Sequence, residues 1–190
     1  MYASRRTFAA GLLVAAAALT TLSPWQALAT GVTAAEVDAA VDEALQTLYN
    51  AEPDAKDLAA QAKGILVFPT IVKGGLVIGG AVGDGALRVD GKTAGYYTSV
   101  AASYGLQAGI QGFSYALFFM SDETLAYLDN SSGWEIGIGP SIVVVDVGAA
   151  GKLSTTTGKD EVYAFIYGQK GLMAGLGIEG AKITEFTPDQ

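Results

Sequence analysis

Residues 62–80 have the sequence AKGILVFPTIVKGGLVIGG, and this stretch decides the fold of the chain. It is an apolar run with the composition of a strand, closed by a lysine and paired glycines. Short apolar runs broken by glycine continue from here to the C-terminus. The stretch holds no obvious nucleophile or metal ligand. The sequence therefore predicts a glycine-rich β domain.

A series of candidate strands follows Ile65, each a short run between glycine or turn residues. They are 65–72, 75–82, 85–90, 94–104, 105–111, 113–120, 134–139, 141–148, 161–168, 171–178 and 181–186. Strands this close together leave no room for helical crossovers, so the sheet is predicted to be mostly antiparallel. The chain holds 25 glycines in 190 residues, about twice the usual ~7%, which indicates bulges or strong curvature.

Some segments carry more specific expectations. The runs 142–145 and 162–167 are apolar at successive positions, which predicts central strands covered on both faces. Asp90-Gly91 and Gly158-Lys159 have the chemistry of tight turns. The segment 86–93 satisfies a permissive phosphate-loop pattern, but its Asp90-Gly91 predicts a hairpin instead of the required helix. The glycine-rich segment 80–85 is likewise predicted to be a turn, not a dinucleotide site.

Residues 33–64 have a helical pattern. Thr33 and Glu36 fit a capping box, and one face of the first helix carries apolar residues, namely Val37, Val41, Leu45 and Leu48. Pro53 suits the first turn of a second helix, and Gly64 suits the position past its end. Two roles stay open for the first helix. It covers one face of the sheet, or it docks on lipid, although its acidic polar face counts against the second role.

A third, short helix is predicted for 122–129, capped by Ser121. The fold class that follows is α+β: a mostly antiparallel, strongly curved sheet, sandwich-like or barrel-like, with N-terminal helices packed against it.

The first 29 residues have the features of an export signal. Arg5 and Arg6 precede an alanine-rich apolar run, and Ala27-Leu28-Ala29 offers the small residues that a signal peptidase recognises. Cleavage is predicted between Ala29 and Thr30, so that 30–190 forms a single domain. The arginine pair predicts a twin-arginine signal and a periplasmic or secreted protein. An ordinary secretory signal that happens to carry Arg-Arg is the alternative.

Composition narrows the function classes. Removing 1–29 removes two arginines and no acidic residue, which leaves 9 basic and 19 acidic residues and a formal charge of −10. That charge disfavours binding to nucleic acid, and it disfavours binding to anionic membrane through a broad charged surface. The chain has no cysteine and no histidine, so thiol and Ser-His-Asp chemistry and ligation of a metal by these residues are excluded. We expect no enzyme activity, no cofactor and no metal.

Several blocks of the sequence resemble, in order, the motifs of the SYLF domain family. They are 62–85, 95–97, 104–109, 118–120, 148–152, 162–165 and 171–175, with Leu125 between them. The resemblance covers roughly Val37 to Phe186. Eukaryotic members bind phosphoinositides and some yeast members bundle actin, whereas bacterial members are exported envelope proteins. This chain departs from the eukaryotic pattern in its acidity and lacks a basic N-terminal helix, so actin binding and phosphoinositide specificity are not carried over.

The resemblance implies a lipid-contact role for Lys63 and Lys73. Gly74 and Gly75 would add amides that hold a phosphate beside Lys73, and Arg88 and Lys92 would complete a basic corner on the next hairpin. Trp134 fits either an interfacial anchor or the core.

Together with the export signal, the resemblance implies a non-catalytic protein of the bacterial cell envelope that binds phospholipid headgroups, of phosphoinositide type or similar. The alternative is a structural or assembly factor that binds another envelope protein.

Overall fold

The computed structural model describes residues 31–75, 78–104, 109–130, 133–147, 161–171, 178 and 180–189. The export signal with its cleavage site at Ala29–Thr30, the turn at 158–159 and most of the predicted strand 171–178 lie outside these residues. The elements are α1 (Ala34–Ala51), α2 (Asp54–Ala59), β1 (Gly64–Gly75), β2 (Ile78–Val89), β3 (Lys92–Tyr104), β4 (Gly109–Phe119), α3 (Asp122–Asn130), β5 (Trp134–Glu135), β6 (Ile142–Asp146), β7 (Val162–Gly171) and β8 (Lys182–Phe186).

The strands form one sheet with the order β5-β8-β3-β2-β1-β4-β7-β6. Every neighbouring pair is antiparallel except β6 and β7, which confirms the mostly antiparallel prediction. The central position predicted for 162–167 is also confirmed, because β7 lies between β4 and β6 and these residues are buried. The same prediction for 142–145 is wrong. β6 is an edge strand, and Val144 remains 46% exposed.

The sheet curls strongly, as the sequence predicted. The Tyr115 hydroxyl on β4 donates a hydrogen bond of 2.6 Å to Oγ of Ser99 on β3, although β1 and β2 lie between these strands. Phe119 on β4 and Trp134 on β5 contact each other with ring centroids 5.8 Å apart. The face that carries these side chains is therefore concave and holds one of the two apolar cores. Trp134 is 1% exposed, so it belongs to the core.

The convex face holds the second core, beneath α1. The capping box predicted at the start of α1 is confirmed, since the Thr33 amide donates to the Glu36 carboxylate at 2.9 Å and the Glu36 amide donates to Thr33 Oγ1 at 3.3 Å. The buried residues of α1 are Val37, Val41, Ala44 and Leu48. They pack in one cluster with residues of five strands, among them Val67, Ala86, Ala116, Val145 and Phe165. Of the two roles left open for α1, the structure shows packing on the sheet.

Strand β2 is continuous where the sequence predicted two strands separated by a turn at 80–85, so that prediction is wrong. Its glycines serve close packing instead. A Cβ atom on Gly83 would lie 2.2 Å from the Thr70 carbonyl oxygen, and one on Gly85 would lie 2.1 Å from that of Val67. The β1–β2 register shifts between Val67 and Val72, and the glycines let the two backbones approach at this bulge.

Other predicted boundaries also move. The runs 105–111 and 113–120 were predicted as separate strands, but the structure has the single strand β4 from Gly109. The second helix ends at Ala59, so Gly64 begins β1 and does not terminate α2. The hairpin at Asp90-Gly91 is confirmed, with φ of 51° and 74° at its two residues. The predicted third helix is confirmed as α3, with Thr124 N donating to Ser121 Oγ at 3.2 Å.

Candidate functional site

The residues predicted to bind lipid lie in two places. Lys63, Arg88 and Lys92 lie near the hairpin of β2 and β3, where β1 begins. Lys73, Gly74 and Gly75 lie at the other end of β1. Ten residues of strand separate Lys63 from Lys73, which corresponds to about 33 Å at ~3.3 Å per residue and somewhat less across the bulge. The structure therefore does not gather the predicted residues into one site.

Arg88 of β2 links α1 to the sheet through ion pairs. Its guanidinium forms ion pairs with Asp38 at 2.9 Å and Asp42 at 2.7 Å, both on α1, and also donates to the Asp38 carbonyl at 3.1 Å. Thr93 and Tyr96 of β3 donate to the same Asp38 carboxylate at 2.8 and 3.1 Å. The Arg88 side chain is only 11% exposed. Its donors are thus committed to the protein, whereas Lys63 and Lys92 are exposed.

Lys73 is buried, with 6% of its surface exposed. It pairs in register with Ala81 of β2 and with Gln111 of β4, which is itself 4% exposed, and it faces the concave side together with Ile71. Gly74 and Gly75 beside it are half-buried. A lipid-binding role for these residues stays a prediction, and for Lys73 it would require contact at a nearly inaccessible side chain.

The exposed apolar residues of the sheet form a pattern that the sequence analysis missed. Cross-strand register aligns one residue from each of six neighbouring strands, β8-β3-β2-β1-β4-β7, in a single transverse line. The aligned residues are Lys182, Val100, Val82, Val72, Gly112 and Lys170. We call this line the lysine–valine row. With strands ~4.8 Å apart, its five intervals span about 24 Å.

The row lies on the convex face, since side chains paired in register point to the same side of a sheet and Val82 lies four residues from Ala86, which packs beneath α1. Val72 is 50% exposed, Val82 52% and Val100 50%, and both lysines are exposed. Ile110 of β4, 73% exposed, stands next to the row on the same face. The row is thus an apolar centre with a lysine at each end.

Helix α1 runs roughly parallel to the row on the same face. Near its start, Asp38 contacts Tyr96 of β3, and near its end Thr47 lines a cavity with Gly168 of β7. The helix therefore crosses the same strands as the row. A binding partner must reach the row from the strand ends away from α1, because the helix is about 10 Å across and protrudes from the same face.

A cavity of about 360 Å³ lies between α1 and the sheet at the β7 end of the row. Gly112 and Lys170 of the row contribute to its wall, and so do Glu43 and Thr47 of α1 and the bulge residues Pro69 and Thr70. We call it the bulge cavity, because the β1–β4 and β4–β7 registers both shift beside it, with the extra residues in β1 and β7. A second cavity of about 340 Å³ shares Thr47 and Gly168 with it.

The second cavity is bordered by Tyr167, whose hydroxyl is buried and has no hydrogen-bond partner among the residues that the structure describes. Burial raises the pKa of Tyr167, and the nearby Tyr49 raises it further, so the hydroxyl stays protonated and remains a donor. An unpaired buried donor costs free energy, which an acceptor from a ligand would recover.

Within the described ranges, no three metal-ligating side chains cluster, and no helix has the length and hydropathy to cross a bilayer. In the described part of the chain, the fold is a curled sheet whose convex face is covered by α1 on one side of the bulge and carries half-exposed valines on the other.

One family model matches part of the chain. Residues 100–188, just under half of the chain, match the model described as Ysc84, Las17-binding protein actin regulator. The match confirms the resemblance seen in the sequence, and this segment belongs to the SYLF (Ysc84) family. That family is associated with lipid and actin-related binding. No match was found among curated proteins.

The sequence analysis did not find the valines and lysines of the row, because the residues next to each of them in sequence form no distinctive pattern. Val72 follows Ile71, and Val82 and Val100 lie in runs of small residues. Strand alternation places Ile71 and Lys73 on one face and Val72 on the other, which was a usable signal. The alignment of three valines between two lysines depends on register across six strands, which no local pattern contains.

Proposed function

We propose that the protein is a non-catalytic, phospholipid-binding protein of the bacterial cell envelope, exported through a twin-arginine signal, and that the lysine–valine row is its membrane-contact surface. The row carries the proposal, since it combines exposed valines with a cation at each end on an otherwise acidic chain. On a convex face, the central valines extend furthest toward the acyl boundary, and the flanking lysines reach the level of the phosphates.

The size of the row predicts weak, reversible binding. Fully burying a valine is worth about 1.5–3 kcal/mol, so each half-exposed valine contributes about 1 kcal/mol. A lysine near an anionic surface adds about 1 kcal/mol. Nearby carboxylates reduce the positive charge of the row. Glu135 is the register partner of Lys182, and Asp84 lies two residues from Val82 in the centre of the row. A surface so balanced in charge is suited to phospholipid membranes of modest anionic content.

Sedimentation with liposomes tests the proposal. The triple variant Val72→Thr, Val82→Thr and Val100→Thr keeps β-branched side chains but removes apolar surface, so it should bind about tenfold more weakly. A matched control, Ile138→Thr with Val144→Thr, changes residues 58% and 46% exposed outside the row and should bind like wild type. Equal loss in both variants would mean that no particular surface is recognised.

A second pair of variants separates the row from the residues predicted by sequence. Lys170→Gln with Lys182→Gln should weaken binding and lower its salt dependence, whereas Lys63→Gln with Lys92→Gln should have little effect. The opposite ranking would place the lipid site at the hairpin of β2 and β3. If wild type sediments with no liposome composition, the assembly-factor function replaces the lipid-binding one.

A further inference from the structure

The bulge cavity carries opposite charges on its two walls. Glu43 lies on the α1 wall and Lys170 on the β7 wall, and both side chains are exposed. The ion pairs among the described residues join Arg88 to Asp38 and Asp42, so neither Glu43 nor Lys170 is neutralised by one of them. An empty space with an anion on one side and a cation on the other is complementary to a molecule that carries both charges.

The position of the cavity links it to the row. Gly112 and Lys170 belong to both, so a molecule in the cavity adjoins the surface that contacts the membrane in the proposed function. Its volume of about 360 Å³ lies within the ~300–1,000 Å³ typical of small-molecule sites. A phospholipid headgroup can therefore enter from the row while the rest of the lipid stays in the bilayer.

The lining also distinguishes a primary from a quaternary ammonium. Quaternary ammonium groups are recognised by cages of several aromatic faces. Among the described residues that line the bulge cavity, Phe113 alone is aromatic, and it is 5% exposed. A primary ammonium, in contrast, donates charge-assisted hydrogen bonds, for which the Glu43 carboxylate is a suitable acceptor. The hydroxyl of Thr47 is already used, donating to the Glu43 carbonyl at 3.0 Å.

We propose that the bulge cavity binds a phosphate ester bearing a primary ammonium, the chemistry of a phosphoethanolamine headgroup, with Lys170 holding the phosphate and Glu43 the ammonium. That the headgroup comes from a membrane phospholipid rests on the proposed function. A soluble phosphoethanolamine has the same chemistry, and the experiment separates the two. Tyr167 lines the adjoining cavity, and its hydroxyl, which has no partner within the described ranges, offers a further donor for an ester or phosphate oxygen.

The first arm measures the cavity without a membrane. Soluble glycerophosphoethanolamine is titrated into the full chain and followed by NMR, with glycerophosphocholine and inorganic phosphate as competitors. We expect glycerophosphoethanolamine to bind and both others to bind more weakly. Lys170→Gln and Glu43→Gln should each weaken it about threefold, as expected for partly exposed ion pairs. If inorganic phosphate binds equally well and Glu43→Gln changes nothing, the assignment of the ammonium is wrong.

Charge exchange provides a sharper result. Glu43→Lys and Lys170→Glu should each abolish detectable binding, and the two together should restore it, because a zwitterion can bind in the reversed orientation. The matched control is Asp57→Lys with Lys56→Glu on α2, exposed residues outside the cavity lining, which should leave binding unchanged. Failure of the double exchange to restore binding, in a variant that keeps the wild-type Tm, would overturn the proposal.

The second arm uses vesicles of phosphatidylcholine with phosphatidylethanolamine or phosphatidylglycerol added. Preference for phosphatidylethanolamine, lost in Glu43→Gln, supports a membrane source. Equal binding to all vesicles, without binding of the soluble ligand, overturns the headgroup inference and leaves the membrane function standing. Binding of the soluble ligand without binding to any vesicle supports the cavity chemistry and overturns the membrane function.

Discussion

The two halves of the convex face differ in what covers them, although the same strands build both. In one half, Val67, Ala86 and Ala116 are fully buried beneath α1. In the other, a few residues further along the same strands, Val72 and Val82 remain half exposed. The difference shows that apolar residues on this face occur in two settings: a packed core where α1 lies over them, and an exposed surface where it does not.

The largest expected effect lies in the covered half. Leu48→Ala removes a fully buried side chain of α1 and should lower the free energy of unfolding by about 3 kcal/mol, through lost burial and the cavity left behind. Val82→Thr in the open half should change it by less than about 0.5 kcal/mol. Urea denaturation measures both. Similar losses would mean that the open half is also packed, which would remove the distinction between the halves.

Arg88 is expected to show the next largest effect. Arg88→Ala removes the ion pairs with Asp38 and Asp42. Since the arginine is mostly buried while Asp38 is partly and Asp42 largely exposed, we expect a loss of about 2 kcal/mol. Lys92→Ala, two residues past the Asp90 turn and exposed, serves as the control and should be nearly neutral. If Arg88→Ala keeps full stability but loses liposome binding, Arg88 contacts lipid as the sequence predicted, and not α1.

The smallest effect concerns the capping box at the start of α1. The hydrogen bond from the Thr33 amide, followed by that from its hydroxyl, lowers the pKa of Glu36 below its usual value near 4.5. A lowered folded-state pKa stabilises the protein above the unfolded-state pKa, and this contribution disappears as pH falls through the folded-state value. The stability difference between wild type and Glu36→Gln should therefore shrink on acidification below about pH 4.5. A difference independent of pH would contradict this account.

The parts of the fold that the sequence predicted are those set by local chemistry. The capping box at Thr33, the Asp90-Gly91 hairpin and the Ser121 cap each depend on a few adjacent residues, and all three are confirmed. The errors arose where distant residues decide. Gly83 and Gly85 suggested a turn, but they are small because β1 bulges against them, and that bulge is visible only in the folded sheet.

The same reasoning explains the candidate site. Family resemblance drew attention to Lys73, but strand alternation places it on the concave face beside buried residues. Arg88 was predicted as part of a basic corner, and its partners Asp38 and Asp42 are about fifty residues away in sequence. The edge position of β6 escaped prediction for a similar reason, since its apolar residues do not reveal on which side another strand pairs.

The central claim, that the open half of the convex face contacts the membrane, is tested most directly by depth measurement with spin labels. The chain has no cysteine, so one introduced at Val82 in the row or at Asp90 in the opposite hairpin gives a single labelled site. On vesicles containing phosphatidylethanolamine and phosphatidylglycerol, the label at 82 should become accessible to oxygen and protected from a water-soluble nickel complex, while the label at 90 stays in water. Protection at 90 with full water exposure at 82 would contradict the account.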